Sequence, residues 1–427
     1  MTMLQLLLAL SLLPTTIQSP APKAVVTKLP SGVTLVVERN ASTPTVAIEV
    51  MVRAGSARET AAQAGCAHLL EHLAFAGTPN HPGDAIDRRA AELGYSLEAN
   101  TQSEIVRYFT SCLKADWIEV LGLLADAVVN LAPTEEAFRR HQRVVLQELI
   151  ARRDNPLLFL SEHVHALAYP SSGYGGSAAG RLEDVRRRTL QDVLEFHKRW
   201  YTTGNTVVAV VGDVDPAEAA KQVETWFGGL RRAQGEPFEA PPPPGAKVVD
   251  EAGPYTKAAT ALAYPAIPAS RIEDSAALDV LVALLEERAA TGPLRDYALA
   301  FQAQYQTLSH PGLVVAALFC DEERAKDATA KLVEEIGRLR SGDFSEAEFV
   351  FARNRVRAQE LYATETNAGR AHALGYWLIV GGEGIAERYL AALNSLSVGD
   401  ARRVGAEVFD PAKEIRVQWH PPKGGGR

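Results

Sequence analysis

Residues 68–72 read His68-Leu69-Leu70-Glu71-His72 and lie inside an apolar stretch of this 427-residue chain. In a helix, residues four positions apart share one face, so the two imidazoles can bind a single Zn²⁺. Glu71 lies on nearly the same stripe, where a carboxylate can act as general base in hydrolysis of a peptide bond. The pentapeptide therefore predicts a zinc peptidase centre, and the alternative is a helix with two surface histidines and an ordinary acid.

The residues around the pentapeptide extend the pattern. The full stretch is Gly65-Cys66-Ala67-His68-Leu69-Leu70-Glu71-His72-Leu73-Ala74-Phe75-Ala76-Gly77-Thr78. It resembles the insulinase family, which includes pitrilysin and the mitochondrial processing peptidases and whose helix reads approximately Gly-x-Ala-His-x-x-Glu-His-x-x-Phe-x-Gly-Thr. The resemblance extends over residues 24–420 and points in particular to bacterial zinc-bearing subunits related to mitochondrial processing peptidase.

The resemblance also implies a third metal ligand on a later helix. Glu148, 76 positions after His72, stands at the matching place. The implied site is one Zn²⁺ per chain held by His68, His72 and Glu148, with Glu71 as the base and a water in the fourth position. His141 stands where the family usually has a supporting glutamate. We expect His141 to act as a neutral hydrogen-bonding partner behind the ligands, and the alternative is a fourth ligand.

In the insulinase family an extended peptide pairs with an edge strand that follows the zinc helix. The matching segment here is residues 94–108, although Glu98 replaces the family's asparagine. The residues expected to contact the substrate are Ala99, Asn100 and Thr101.

The second half of the family's proteins supplies an arginine and a tyrosine that hold the substrate. In the nearest match, residues 294–301, Arg295 is present but Phe301 stands at the tyrosine position. Phenylalanine cannot donate a hydrogen bond, and one missing donor of this kind costs roughly 10²–10³ in rate. Either Tyr305 or Tyr297 substitutes, or the chain does not complete its own site.

This departure shapes the predicted function. We expect a zinc-dependent endopeptidase that hydrolyses peptides or unfolded polypeptides. It would be the zinc-bearing subunit of a heterodimer whose related partner lacks the zinc motif and carries the arginine and tyrosine. The alternatives are a self-sufficient homodimeric peptidase and a non-catalytic, zinc-dependent peptide-binding or assembly subunit.

The order of predicted elements divides the chain into two halves of similar size. Residues 24–236 are predicted to form the N-terminal zinc-binding domain and residues 247–420 a C-terminal domain of the same fold. The implied fold class is α+β, with each half a mostly antiparallel sheet packed with helices and the two halves facing each other. The proline-rich residues 237–246 form a semi-rigid linker, and residues 421–427 a disordered tail.

Local patterns predict several elements of these halves. Alternating polarity over residues 25–52 predicts two strands joined by a turn at Gly32. Further strands are predicted at residues 206–211, 258–265 and 312–319, and helices at residues 217–227, 274–288, 322–339 and 345–363.

Charge and the N-terminal residues restrict the function further. The net charge of −8 gives no electrostatic footprint for nucleic acid. Residues 1–20 contain a short apolar run from Met3 to Leu13, which is too short for a stable membrane span and is typical of a signal peptide. We therefore expect export, to the periplasm in a Gram-negative source. A misassigned start codon or a retained apolar anchor is the alternative.

Overall fold

The computed structural model describes residues 24–170, 172–239, 241–242 and 244–422. The predicted signal peptide, residues 1–20, and most of the predicted tail lie outside them, so export stays a prediction. Within the described ranges, no helix combines the length and apolarity needed to cross a bilayer.

The first sheet is built from six strands, which are β1 Val25–Lys28, β2 Thr34–Arg39, β3 Thr45–Val52, β4 Glu98–Thr101, β5 Val106–Leu113 and β6 Thr206–Gly212. Their order is β1-β2-β6-β3-β5-β4, with β2 and β6 parallel and the other neighbours antiparallel. The prediction of two strands over residues 25–52 is wrong in number, because a second turn after Arg39 separates β2 from β3.

The second sheet is built from five strands, which are β7 Lys247–Ala252, β8 Ala258–Pro265, β9 Ala300–Tyr305, β10 Leu313–Cys320 and β11 Ile415–His420. Their order is β7-β11-β8-β10-β9, with β7 and β11 parallel and the rest antiparallel. Strands β2-β6-β3-β5-β4 of the first sheet have the same arrangement, with one parallel pair followed by three antiparallel pairs. The α+β class with two similar halves is confirmed.

The helices are α1 Cys66–Leu73, α2 Ala85–Glu92, α3 Trp117–Val129, α4 Glu135–Arg152, α5 Pro156–Ala168, α6 Leu182–Arg187, α7 Leu190–Trp200, α8 Pro216–Phe227, α9 Ile272–Thr291, α10 Ala325–Ser341, α11 Glu346–Ala363, α12 Asn367–Val380, α13 Ile385–Ser395 and α14 Val398–Val408. Side-chain caps fix several starting points. The Thr134 hydroxyl accepts from the N–H of Ala137 at the start of α4, and Asp215 caps α8 ahead of Pro216. The predicted helices at residues 217–227, 274–288 and 345–363 are confirmed as α8, α9 and α11.

The first sheet separates two hydrophobic layers because side chains alternate along each strand. Ile48 and Val50 of β3 pack with α1, α3, α7 and α8 in one core. Ala47 and Met51, on the opposite face of the same strand, pack against α12. This helix comes from the second half of the sequence, so the second half covers the outer face of the first sheet.

The second sheet shows the reciprocal arrangement. Its inner face packs against α9, α10, α13 and α14. The other face carries Ala259, Ala261 and Ala263 of β8, and α5 of the first half lies against it through Leu160 and Val164. The short alanine side chains let this helix approach the sheet closely. Each half therefore donates one helix to the sheet of the other.

The first residues of the proline-rich segment contact both halves. Arg58 donates to the carbonyl of Pro237 at 2.9 Å, and its guanidinium carbon lies 3.9 Å from the centroid of the Phe238 ring. From the second half, Nε2 of His310 lies 2.8 Å from the carbonyl oxygen of Phe238. These contacts hold the start of the segment in place.

Candidate metal centre

Helix α1 begins in a tightly packed corner. Gly65 has φ +88°, and a Cβ at this position would lie 2.6 Å from Cγ2 of Val185, so glycine is required there. The Glu59 carboxylate accepts hydrogen bonds from the N–H groups of Gly65 at 3.0 Å and Ala67 at 2.7 Å. Burial raises the pKa of Glu59 to about 7. A carboxylate at this end complements the helix dipole and fixes where α1 starts.

Helices α1 and α4 bring together the three predicted metal ligands. Nε2 of His72 lies 3.2 Å from Nε2 of His68. Oε2 of Glu148 lies 3.5 Å from Nε2 of His68 and 3.3 Å from Nε2 of His72. His68 is 9% exposed, whereas the Glu148 side chain is 45% exposed. The cluster is therefore buried on the side of α1 and open to solvent beside α4.

These separations fit a tetrahedral zinc ion. Nitrogen and oxygen donors about 2.0–2.1 Å from one Zn²⁺, at tetrahedral angles, lie about 3.3 Å from each other. The observed 3.2, 3.3 and 3.5 Å agree with that value. Two imidazoles and one carboxylate are also a donor set that leaves the fourth position for water or substrate.

The histidines are held in the form that can bind a metal. Burial lowers the pKa of His68, and burial together with the neighbouring His68 lowers the pKa of His72 to about 4. Both imidazoles are therefore neutral at pH 7 and keep a lone pair for a metal ion.

Glu71 lies beside the donor cluster and faces strand β4. Burial raises the pKa of its carboxyl group, which the side chain of Thr101 contacts. β4 pairs with β5 on one side only, and no described strand pairs with its other edge. The carboxylate thus lies between the cluster and the free edge of the predicted substrate strand.

A cavity of about 320 Å³ opens beside this arrangement. Glu71, His72 and Ala99 line one part of it, and Phe75 and Leu97 supply an apolar wall. Asn100, the remaining predicted contact on β4, is exposed and accepts a hydrogen bond from Gln102 at 3.4 Å.

His141 lies next to the cluster and outside its donor set. The ring centroids of His141 and His72 are 6.3 Å apart, and His141 also lines the cavity. Among the described residues, the group of close donors consists of His68, His72 and Glu148. The supporting role of His141 expected from the sequence stays a prediction.

The two predicted residues of the second half lie elsewhere. Arg295 is exposed in a 3₁₀ turn and forms no ion pair within the described part of the chain. The Tyr305 hydroxyl donates to the carbonyl of Ile267, and the ring packs on the second core together with Phe301. Neither Arg295 nor Tyr305 lines the cavity beside Glu71.

Sequence reasoning missed Glu59, which fixes the start of α1. Its contacts are made to backbone N–H groups across a loop, and no motif spacing marks them. The available signal was indirect: α1 begins after Gly65, which has no side chain that could cap the helix.

Comparison with known proteins assigns the chain to a family. Residues 34–180 match the family described as Insulinase (Peptidase family M16), and residues 188–356 match its Peptidase M16 inactive domain. The chain belongs to the insulinase family of peptidases. Helix α9, which follows β8 as α1 follows β3, contains no histidine, in agreement with the inactive description of the second domain.

Individual relatives have different extents of similarity. The zinc protease PqqE of Helicobacter pylori is 27% identical over 95% of this chain and 94% of its own length. The beta subunit of the mitochondrial-processing peptidase of Blastocladiella emersonii is 31% identical, but the match spans 50% of this chain and 46% of that protein. A crystal structure of a protease from Helicobacter pylori has a TM-score of 0.85 at 24% identity and covers 94% of this chain and 100% of its own.

Proposed function

We propose that this chain is a zinc-dependent endopeptidase with His68, His72 and Glu148 as metal ligands. The observation that carries the proposal is the mutual spacing of 3.2, 3.3 and 3.5 Å among their donor atoms. Neutral imidazoles, a solvent-open side and an adjacent carboxylate add support. When bound, Zn²⁺ supplies Lewis acidity toward water and toward a peptide carbonyl.

Glu71 acts as the general base and acid. Its carboxylate takes a proton from the attacking water and later returns it to the leaving amine. Partial burial helps, because a raised carboxyl pKa brings proton affinity closer to the operating pH. The side chain of Thr101 on β4 contacts the carboxyl group.

β4 positions the substrate. An extended peptide pairs with its free edge through main-chain hydrogen bonds, which tolerate many side-chain sequences. Ala99 presents a small side chain to the cavity, so a substrate side chain can enter beside Phe75 and Leu97. This favours unfolded peptides, because a folded protein seldom offers a free extended segment.

A partner subunit is the second part of the proposal. Phe301 has no hydroxyl, and the Tyr305 hydroxyl is already bonded to Ile267. Neither Tyr305 nor Tyr297, the two possible substitutes, lines the cavity beside Glu71. A related chain that supplies an arginine and a tyrosine would complete the site, and the relative from Blastocladiella is itself named as a subunit. The homodimer and the non-catalytic binding subunit stay as alternatives.

Hydrolysis of quenched fluorescent peptides tests both parts. The purified chain is assayed alone and with co-purified partner, in each case with Glu71→Gln as the control and with a chelator. We expect cleavage with the partner that the chelator and the Glu71→Gln substitution both abolish. Equal cleavage by the chain alone would refute the partner requirement. Zinc binding without cleavage in either sample would refute the peptidase assignment and favour the binding subunit.

A further inference from the structure

The second ring nitrogen of His68 is held by a distant loop. Nδ1 lies 3.0 Å from the carbonyl oxygen of Ala179. A carbonyl only accepts hydrogen bonds, so Nδ1 carries the proton and Nε2 presents its lone pair to the cluster. The loop between α5 and α6 therefore selects the tautomer of a metal ligand.

This loop packs on the start of α1 at very short range. Gly180 has φ +82°, and a Cβ on it would lie 2.8 Å from Cα of Gly65. Two glycines thus meet where the loop crosses the helix start. The close approach brings the carbonyl of Ala179 within reach of His68.

Ser177 and Glu162 fix the loop from the other side. The Ser177 hydroxyl accepts from the N–H of Ala179 at 3.2 Å and donates to Oε1 of Glu162 at 2.8 Å. The same oxygen accepts from Arg152 at 2.6 Å. Arg152 lies on α4, one turn after the ligand Glu148, so Glu162 connects the Glu148 helix to the loop that orients His68.

We propose that Glu162 is a positioning residue of the metal centre, which it serves by holding the Ala179 loop and α4 at a fixed separation. The inference rests on the proposed function, since it presupposes zinc at the cluster. Glu162 itself touches neither metal donors nor substrate. Its side chain is 23% exposed and that of Arg152 is 35% exposed, so solvent partly screens their ion pair. The effect that identifies a positioning role is a loss of zinc affinity that exceeds any loss of stability.

The test is zinc affinity, measured by competition with a chelator of known affinity on the full chain. Removing groups that orient a ligand weakens metal binding by about 10- to 100-fold. Because Glu162 acts through Ser177 and Ala179, we expect Glu162→Ala to weaken binding about tenfold, the lower end of that range. Glu162→Gln keeps an acceptor oxygen and should recover most of the affinity.

Glu183→Ala is the matched control, because this glutamate borders the same loop but pairs with Arg186 on the surface. It should bind zinc as the wild type does. The melting temperature of each metal-free variant separates positioning from folding, and Ser177→Ala gives an independent interruption of the same network. Wild-type affinity in both Glu162→Ala and Ser177→Ala would overturn the inference, as would a loss that follows the melting temperature. A wild-type chain without stoichiometric zinc would overturn the proposed function and this inference with it.

Discussion

Glu104 and Ser309 belong to different halves of the chain and are joined by hydrogen bonds. The backbone N–H of Ser309 lies 3.1 Å from both carboxylate oxygens of Glu104, and the Ser309 hydroxyl donates to Oε1 at 2.5 Å. The Tyr174 hydroxyl donates to the same carboxylate, which is 1% exposed. Because Glu104 lies in the turn between β4 and β5, these bonds hold the predicted substrate strand against the second half.

Replacing Glu104 by alanine should therefore destabilise the whole chain. The donors of Tyr174, which is buried, and of Ser309, which is half-buried, would lose their acceptor. Each unsatisfied group costs about 1–3 kcal/mol, so for these two residues we expect a loss of roughly 2–6 kcal/mol in the free energy of unfolding. Urea denaturation measures it. Glu98→Ala, at an exposed position of β4, is the control. Equal stabilities of the two variants would contradict the prediction.

Substitutions at the metal centre should divide into two classes. Alanine at His68, His72 or Glu148 removes a donor, and we expect stoichiometric zinc binding to be lost. Alanine at His141 removes only a neighbouring group, so zinc should remain with an affinity lowered by less than about 100-fold. Metal content after dialysis and chelator competition measure both effects. Loss of all zinc from His141→Ala would instead identify His141 as a fourth ligand.

The contribution of Asp279 to stability should fall as pH rises. Burial raises the pKa of its carboxyl group to about 7, with Glu360 adding to the effect, and Tyr389 donates a hydrogen bond to it at 2.7 Å. In the unfolded chain the pKa returns to about 3.8. At this carboxyl group the folded state then binds more protons between these two values, so the contribution of Asp279 to the free energy of unfolding decreases as pH rises from about 4 to 7.

Asp279→Asn removes this titration. Relative to wild type, the variant should gain stability as pH rises from 5 to 7 and show no further relative gain above about pH 7, near the folded-state pKa. Urea denaturation at a series of pH values measures the difference. Glu273→Gln is a control whose difference from wild type should stay nearly constant from about pH 5 to 7, since Arg388 lowers the pKa of Glu273 and its titration lies below this range. A pH-independent difference between Asp279→Asn and wild type would refute the assignment.

Leu160 tests whether the packing of α5 on the second sheet joins the two halves. This side chain of α5 is fully buried against the second sheet. Leu160→Ala should lower the free energy of unfolding by about 2–5 kcal/mol, because it leaves a cavity between elements of different halves. Leu299→Ala, at a position that is 58% exposed, should have little effect. We expect a single unfolding transition by circular dichroism, and two separate transitions would show that the halves unfold independently.

The parts of the structure that follow local periodicity could be predicted from the sequence. α1 contains the His-x-x-Glu-His motif, and strand β8 agrees with its predicted range of 258–265. The helix around Glu148 is implied by the family resemblance. The exchange of α5 and α12 could not be predicted in the same way. An apolar helix face such as that of Leu160 shows that a helix is buried, but not which of two similar sheets covers it.

In the candidate site, too, some features could be predicted from the sequence and others could not. Two of its metal donors come from a motif and the third from the family resemblance, whereas the support from Ala179 comes from a backbone carbonyl that no residue type marks. Tyr305 and Phe301 illustrate a different difficulty. Side chains two apart in a strand share one face, so both point with Ala303 to the second core. The pattern around Arg295 contained no sign of this orientation.

The reciprocal placement of α5 and α12 has a consequence for dividing the chain. A cut in the proline-rich residues 237–246 falls between the two sheets in sequence, and it would leave each sheet on a different fragment from the helix that covers its outer face. A fragment ending there would expose the Leu160 face of α5 and the Met51 face of β3 to water. Two such fragments would be expected to fold only when expressed together, as complementary pieces of one molecule.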